Sequence, residues 1–385
     1  MGGICLNSVK YFDHAATTGV KEAVLKEMLP YFNIEYGNAS SIYGIGRRAK
    51  RAIEEARGKV AKVINAKPNE IYFTGCGSES DNLAIKGIAR AMREKGNHII
   101  TSKIEHHAVL NSCKSLEQEG FVVTYLNVDE KGLINLQELK DSITDKTILI
   151  TIMTANNEIG TVEPIEEIGK IAKEKNIYFH TDSVQAIGNI KIDVQKMNID
   201  SLSMSAHKFY GPKGVGALYV REGVPFTKIQ DGGHQEKDKR AGTENTAGIV
   251  GLGKAIELAY KNIDEYNNKL QELRDYYIKK VETEIPEAIL NGDRIKRLPG
   301  NANISFKNVD GGDLLLRLDE NGICASTGSA CNTGSAAPSH VLVAIGLQPE
   351  YLQGSLRTTF GEDNSKDDVD YLIKYLKQAV KECRK

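Results

Sequence analysis

Asp182 and Lys208 stand in His180-Thr181-Asp182-Ser183-Val184-Gln185 and Ser205-Ala206-His207-Lys208-Phe209-Tyr210-Gly211-Pro212-Lys213-Gly214. The carboxylate follows the apolar run Ile177-Tyr178-Phe179, which reads as a buried strand. The amine sits in a small, polar loop punctuated by Gly and Pro, after a second strand at Leu202-Ser203-Met204. In an open α/β sheet such strand ends meet in the crevice where ligands bind. An amine and a carboxylate brought together there are what pyridoxal phosphate needs: the lysine as Schiff base and the acid as partner of the pyridinium nitrogen.

A phosphate would need its own cradle. Glu70-Ile71-Tyr72-Phe73-Thr74 runs into Gly75-Cys76-Gly77-Ser78-Glu79-Ser80-Asp81-Asn82 and then into the helical pattern Leu83-Ala84-Ile85-Lys86-Gly87-Ile88. Gly77 lets an anion approach the N–H groups that a first helical turn leaves unpaired, and Ser78 adds a hydroxyl. Taken alone the segment reads equally as an ordinary Ser-capped turn. Its weight comes from Asp182 and Lys208, as does that of Ser205 and His207 beside the lysine.

Further side chains fall at the same strand ends. His106, in Glu105-His106-His107, offers a flat ring able to stack or to carry protons, although a single loop histidine is more often a surface residue. Asn157, in Asn156-Asn157-Glu158-Ile159-Gly160, offers an amide, with a plain Asn/Gly turn as the alternative. Arg357 is the single basic residue of Ser355-Leu356-Arg357-Thr358-Thr359-Phe360-Gly361 and reads as a clamp for a substrate carboxylate or as half of a structural ion pair. Cys331 lies in Ser326-Thr327-Gly328-Ser329-Ala330-Cys331-Asn332-Thr333-Gly334-Ser335-Ala336-Ala337-Pro338, a run of small residues with little to pack, which predicts a mobile, exposed loop. A thiol there is a candidate nucleophile, with an adventitious surface cysteine as the equal alternative.

The elements that must position these groups are visible as pattern. Apolar runs at 71–74, 98–102, 121–126, 147–153, 177–181, 201–204 and 215–220 alternate with amphipathic stretches, as in βα units around a mostly parallel sheet. Ile249, Leu252, Ile256, Tyr260, Ile263, Leu270, Leu273, Tyr277 and Val281 continue on one stripe too long for a crossover helix, leading to a smaller α+β unit with strands near 303–306 and 355–360 and a last helix over 367–383. We expect a large cofactor-binding domain over 16–255, and a small domain from 1–15 and 256–385 that carries the cysteine loop at about 326–337.

The 385 residues are 41% hydrophobic, enough for a large core, and 50 basic residues nearly balance 51 acidic ones. That balance favours neither nucleic acid nor an anionic membrane, and Arg47-Arg48-Ala49-Lys50-Arg51 reads as a solvated helix face. No leader-like N-terminus and no membrane-length apolar run are present, so we expect a cytoplasmic protein. The six cysteines, Cys5, Cys76, Cys113, Cys324, Cys331 and Cys383, have neither zinc spacing nor a disulfide framework, so no metal is expected.

The ordered blocks together resemble the cysteine desulfurases of the NifS/IscS type, within the class V aminotransferase group. They are Tyr11-Phe12-Asp13-His14-Ala15-Ala16-Thr17-Thr18, Gly37-Asn38-Ala39-Ser40-Ser41, 73–82, Glu105-His106, 156–160, 182–185 and 205–214, followed by Gly232-Gly233-His234-Gln235-Glu236, Arg240-Ala241-Gly242-Thr243-Glu244-Asn245, 329–342 and 355–361. The resemblance implies an α/β, fold type I aminotransferase-like large domain with a mostly parallel seven-stranded sheet. It implies that Lys208 forms the Schiff base, Asp182 pairs with the ring nitrogen and His106 stacks on the ring. Asn157 and Gln185 would contact the ring hydroxyl, and Gly77, Ser78, Ser205 and His207 would hold the phosphate with Thr243 of the other subunit of a homodimer. Arg357 and Asn157 would hold L-cysteine. Cys331 would carry a persulfide for sulfur-acceptor proteins such as an iron–sulfur scaffold or a tRNA-thiolation protein. Related activities on such a scaffold are selenocysteine lyase, aminotransferase and a catalytically silent sulfur relay. The chain departs from the group's usual pattern at His14, Ala39, Tyr43, Cys76 and Ser78. Of these Cys76 reads as a small packing residue.

Overall fold

The computed structural model describes residues 9–328 and 338–384. Its main sheet has seven strands, in the spatial order Ile71–Thr74, Gly216–Val220, Ser201–Ser205, Tyr178–Asp182, Thr147–Thr151, His98–Ser102 and Val122–Leu126. All seven were expected from apolar runs, within two residues at each end. Gly216–Val220 runs antiparallel to both neighbours and the other contacts are parallel, so Ile71–Thr74 points the same way as the central strands. The central strands are buried along their full length apart from Tyr178, as expected for a sheet covered by helices on both faces.

Those helices supply apolar stripes. Gly44–Val63 turns Ala49, Ala52, Ile53, Ala56 and Val60 inward and packs on Thr246–Lys261. Its Arg47, Arg48, Lys50 and Arg51 face solvent, as the sequence implied, with Arg48 held by Glu35 at 2.8 Å.

The long stripe at 249–281 is two helices, Thr246–Lys261 and Ile263–Glu284. They part at Asn262, whose backbone (φ −132°, ψ 38°) leaves the helical region. Each half serves a different core. Ile249, Leu252 and Ile256 join the apolar cluster under the main sheet. Leu270, Leu273, Tyr277 and Val281 join a second cluster with Phe12, Phe306, Leu356 and Leu372. That second cluster packs on an antiparallel three-stranded sheet, Ala288–Asn291, Asn301–Phe306 and Ser355–Thr359, in which Asn301–Phe306 is central. The last helix, Lys366–Cys383, starts from a capping box between Ser365 and Asp368. Residues 10–11 cross to pair with Ile323–Cys324, so the start of the described chain is woven into this second unit.

Candidate active site

Six parallel strands end on one edge of the main sheet, and five of them deliver the predicted side chains, from their ends or following loops, to a single cavity of about 340 Å³. Gly77 and Ser78 come after Ile71–Thr74, and His106 after His98–Ser102. Asn157 follows Thr147–Thr151, Asp182 ends Tyr178–Asp182 with Gln185 after it, and Ser205 ends Ser201–Ser205 with His207 and Lys208 after it. Arg357 reaches the same cavity from the second sheet. Thr243 is exposed and does not line it. Cys331 lies outside the described residues, while Gly328 lines the cavity.

At one end of the cavity the Gly77–Ala91 helix begins after Cys76 with no side-chain cap, leaving its first N–H groups to the cavity. Thr74 and Ser80 satisfy each other at 2.8 Å and also bond Cys76 O, which tightens the turn without using those amides. Gly77 is required by contact: a Cβ there would sit 2.5 Å from Val184 Cγ2. Ser205 Oγ is buried without a hydrogen-bond partner. Cys76, expected to be a packing residue, is instead exposed and lines the cavity, because the turn that frees the helix N-terminus carries it to the rim.

In the middle, the buried Asp182 accepts the Val184 N–H at 2.9 Å. Burial raises its pKa, opposed by His106, that N–H and Lys208. His106 caps the His107–Gln118 helix by accepting the Ala108 N–H at Nδ1, 3.1 Å, so the proton of the neutral ring is on Nε2. Burial lowers its pKa, Lys208 and His107 add to this, and Asp182 opposes. His207 is pushed down to about 4 by burial and by Lys208 and Lys213, and so is neutral at pH 7.

An N-terminal strap ties these groups together. Lys208 Nζ donates to Ala15 O and Ala16 O, and Gln185 Nε2 donates to Ala15 O at 3.0 Å. His207 Nδ1 meets Thr17 Oγ1 at 3.1 Å, and Asp13 accepts from Arg357 Nη2 at 2.7 Å. Arg357 Nη1 donates to Asn157 O at 3.0 Å, while Nε is buried without a partner. Part of the guanidinium is therefore a structural ion pair, and Arg357 still lines the cavity. Burial raises the Glu158 carboxyl to about 7, and the Ser339 hydrogen bond and Arg357 oppose the rise. Glu158 fills the space that a Cβ on Gly328, at φ +87°, would enter.

Sequence reasoning did not single out Asp13, Glu158 or Asp81. Asp81 lies within the phosphate-turn block, yet its carboxylate, a His106 nitrogen and an Asp182 oxygen lie within 4.8 Å of one another. The fit to pyridoxal phosphate rests on the donor set: an amine, a buried acid, and a helix N-terminus beside an unpartnered serine hydroxyl, all in one cavity.

Comparison with known proteins points to one family. The sequence profile of the aminotransferase class-V family matches residues 10–372. A protein of Clostridium botulinum named cysteine desulfurase IscS is 57% identical over 381 residues, covering 98% of this chain and 96% of that one. A solved NifS-like protein superposes with a TM-score of 0.92 at 38% identity, covering 97% of this chain and 99% of the other. A structure described as SspA in complex with cysteine gives a TM-score of 0.82 at 41% identity, covering 91% and 99%.

Proposed function

Since this chain belongs to the class V aminotransferase family and is a cysteine desulfurase of the NifS/IscS type, we propose that it converts L-cysteine to L-alanine in the cavity described, holding the sulfur as a persulfide on Cys331. Pyridoxal phosphate would be held by Lys208, Asp182, Gln185, Asn157 and His106 around the ring, and by Gly77, Ser78, Ser205 and His207 at the phosphate. It supplies an aldehyde that condenses with amines and a protonated ring that draws off electron density. The observation that carries the reading is the convergence of Lys208, Asp182 and the uncapped helix N-terminus on one cavity with Arg357.

Each residue then has a task. Asp182 keeps a proton on the ring nitrogen. Arg357 receives the substrate carboxylate on guanidinium N–H groups that Asp13 and Asn157 do not take. The Lys208 amine serves as base for the substrate Cα proton. The Cys331 thiolate attacks the substrate sulfur: an S–S bond forms as the C–S bond breaks, and the carbon keeps the electron pair and gains a proton. L-cysteine plus thiol gives L-alanine plus persulfide, and no oxidant is needed.

A homodimer is part of the proposal. Leu29, Phe32, Ile34, Tyr36 and Ile42 form an exposed apolar group near the start of the chain, which a second copy would cover. Thr243, exposed and absent from its own cavity, would serve the partner's phosphate site. A division into units over 16–255 and over 1–15 with 256–385 is part of the reading; separate apolar clusters under the two sheets support it, with Ile256 packing in the first and a further cluster joining Ile104, Met153 and Ile159 to Val341, Leu342 and Ile345 across the division. A cytoplasmic setting and transfer of sulfur to an iron–sulfur scaffold or a tRNA-thiolation protein complete the reading. Among the described residues no helix is long and apolar enough to cross a membrane.

The test is purified protein with cysteine and a reductant. Equal amounts of alanine and sulfide are expected, together with a yellow protein whose colour is lost in Lys208→Ala. Sulfide release by Cys331→Ser at the wild-type rate would remove the role given to that thiol. Transamination without sulfide would favour the aminotransferase alternative.

A further inference from the structure

Beside the Asp182 carboxylate lies a second acid that none of these tasks uses. Asp81, on the Gly77–Ala91 helix, is 1% exposed and its Oδ1 has no hydrogen-bond partner. It faces a polar seam across the sheet. His180 sits two residues before Asp182 on the same strand, and so on the same face. Its Nδ1 meets Thr151 Oγ1 at 2.8 Å, and its Nε2 meets Ser203 Oγ at 3.1 Å. Asp81 Oδ1 is 3.7 Å from His180 Nε2.

Asp81 and Asp182, both buried and with carboxylate oxygens within 4.8 Å, cannot both be charged without a large penalty. Their surroundings decide which one is. Asp182 has the Val184 N–H at 2.9 Å, with His106 and Lys208 close enough to favour its charge. For Asp81, burial, Asp182, Glu105 and Cys76 oppose ionisation, and the Ser203 hydroxyl favours it. His180, which would help if charged, is pushed down to about 3 by burial and stays neutral.

We infer that Asp81 is a positioning residue: the uncharged half of a carboxyl pair, which concentrates the pair's single negative charge on Asp182, where the cofactor's ring nitrogen is to be held. Burial, and then the Asp182 charge, raise Asp81 well above the usual carboxylate range, in keeping with this role. The inference rests on the pyridoxal phosphate reading for its purpose, but not for the charge state itself.

Asp81→Asn imitates the uncharged acid, and Asp81→Leu removes its polarity. In the cofactor-free protein at pH 7, the infrared difference between wild type and Asp81→Asn should show one protonated-carboxyl band lost. Pyridoxal phosphate titrated into cofactor-free protein should bind Asp81→Asn within about threefold of wild type and Asp81→Leu at least about tenfold more weakly. A difference spectrum that loses carboxylate intensity but no protonated-carboxyl band would show Asp81 ionised and overturn the inference. So would Asn binding as poorly as Leu, or Leu binding as well as wild type. Should Asp81→Leu not fold, the infrared band and the Asn affinity still decide. If wild type takes up no pyridoxal phosphate, the cofactor reading fails, and the infrared measurement alone rules on the charge of Asp81.

Discussion

Glu163 carries a stability cost that grows with pH, and Glu163→Gln should remove it. The side chain is 4% exposed, Oε2 accepts the Ile134 N–H at 3.2 Å, and Oε1 has no partner. Burial lifts its pKa from 4.5 to about 8, with Asp129 adding to the rise and the Ile134 N–H and Lys296 opposing it. The folded chain therefore keeps a proton that the unfolded chain releases. Stability from this group is complete below pH 4.5, falls as pH rises toward 8 and levels off beyond. At 1.36 kcal/mol per pKa unit, the loss at alkaline pH approaches roughly 5 kcal/mol as a ceiling. Glutamine does not titrate and still offers an oxygen to Ile134. At pH 5 it should match wild type or lose about 1 kcal/mol through its second N–H. At pH 8.5 it should melt higher by roughly 5 °C for a chain of this length. Thermal melts of both proteins across pH 4.5–9 measure this. A difference in Tm that stays constant across the series would refute the argument, since only titration makes it depend on pH.

Three further outcomes follow from named contacts. Glu236→Gln leaves Arg57 buried without the bidentate partner it holds at 2.8 Å, and should cost about 3 kcal/mol or more in denaturant unfolding. Arg357→Lys loses the geometry shared with Asp13 and Asn157, so KM for cysteine should rise roughly 10- to 100-fold, more than kcat falls, in steady-state assays. Gly77→Ala should weaken pyridoxal phosphate uptake by forcing Val184 away, and adding Val184→Ala should restore part of it in the same titration.

Much of this was legible before any coordinates, for reasons specific to each element. The seven strands announce themselves because a sheet buried on both faces needs short continuous apolar runs, and the functional side chains follow those runs because the loops at one edge all meet. The break at Asn262 was not legible. The stripe keeps helical phase on both sides of it, and only the contacts of Leu270 and Tyr277 with a second core reveal the change. The strand Ala288–Asn291 is short, partly exposed and lacks alternation, so pattern alone passed over it. Asp13 with Arg357, and Asp81 with Asp182, are pairs made by tertiary closure across many residues. No local period encodes them.

The strap formed by residues 13–17 has a consequence for how the protein is born. Asp13 leaves the ribosome early, yet its partner Arg357 is 344 residues further on, on the order of tens of seconds of synthesis later. The carbonyls that receive the Lys208 amine are likewise made long before that lysine. On the proposed reading, cofactor capture would therefore be a late event in the life of a nascent chain, and a polypeptide released short of position 357 would carry Lys208 without the finished cavity.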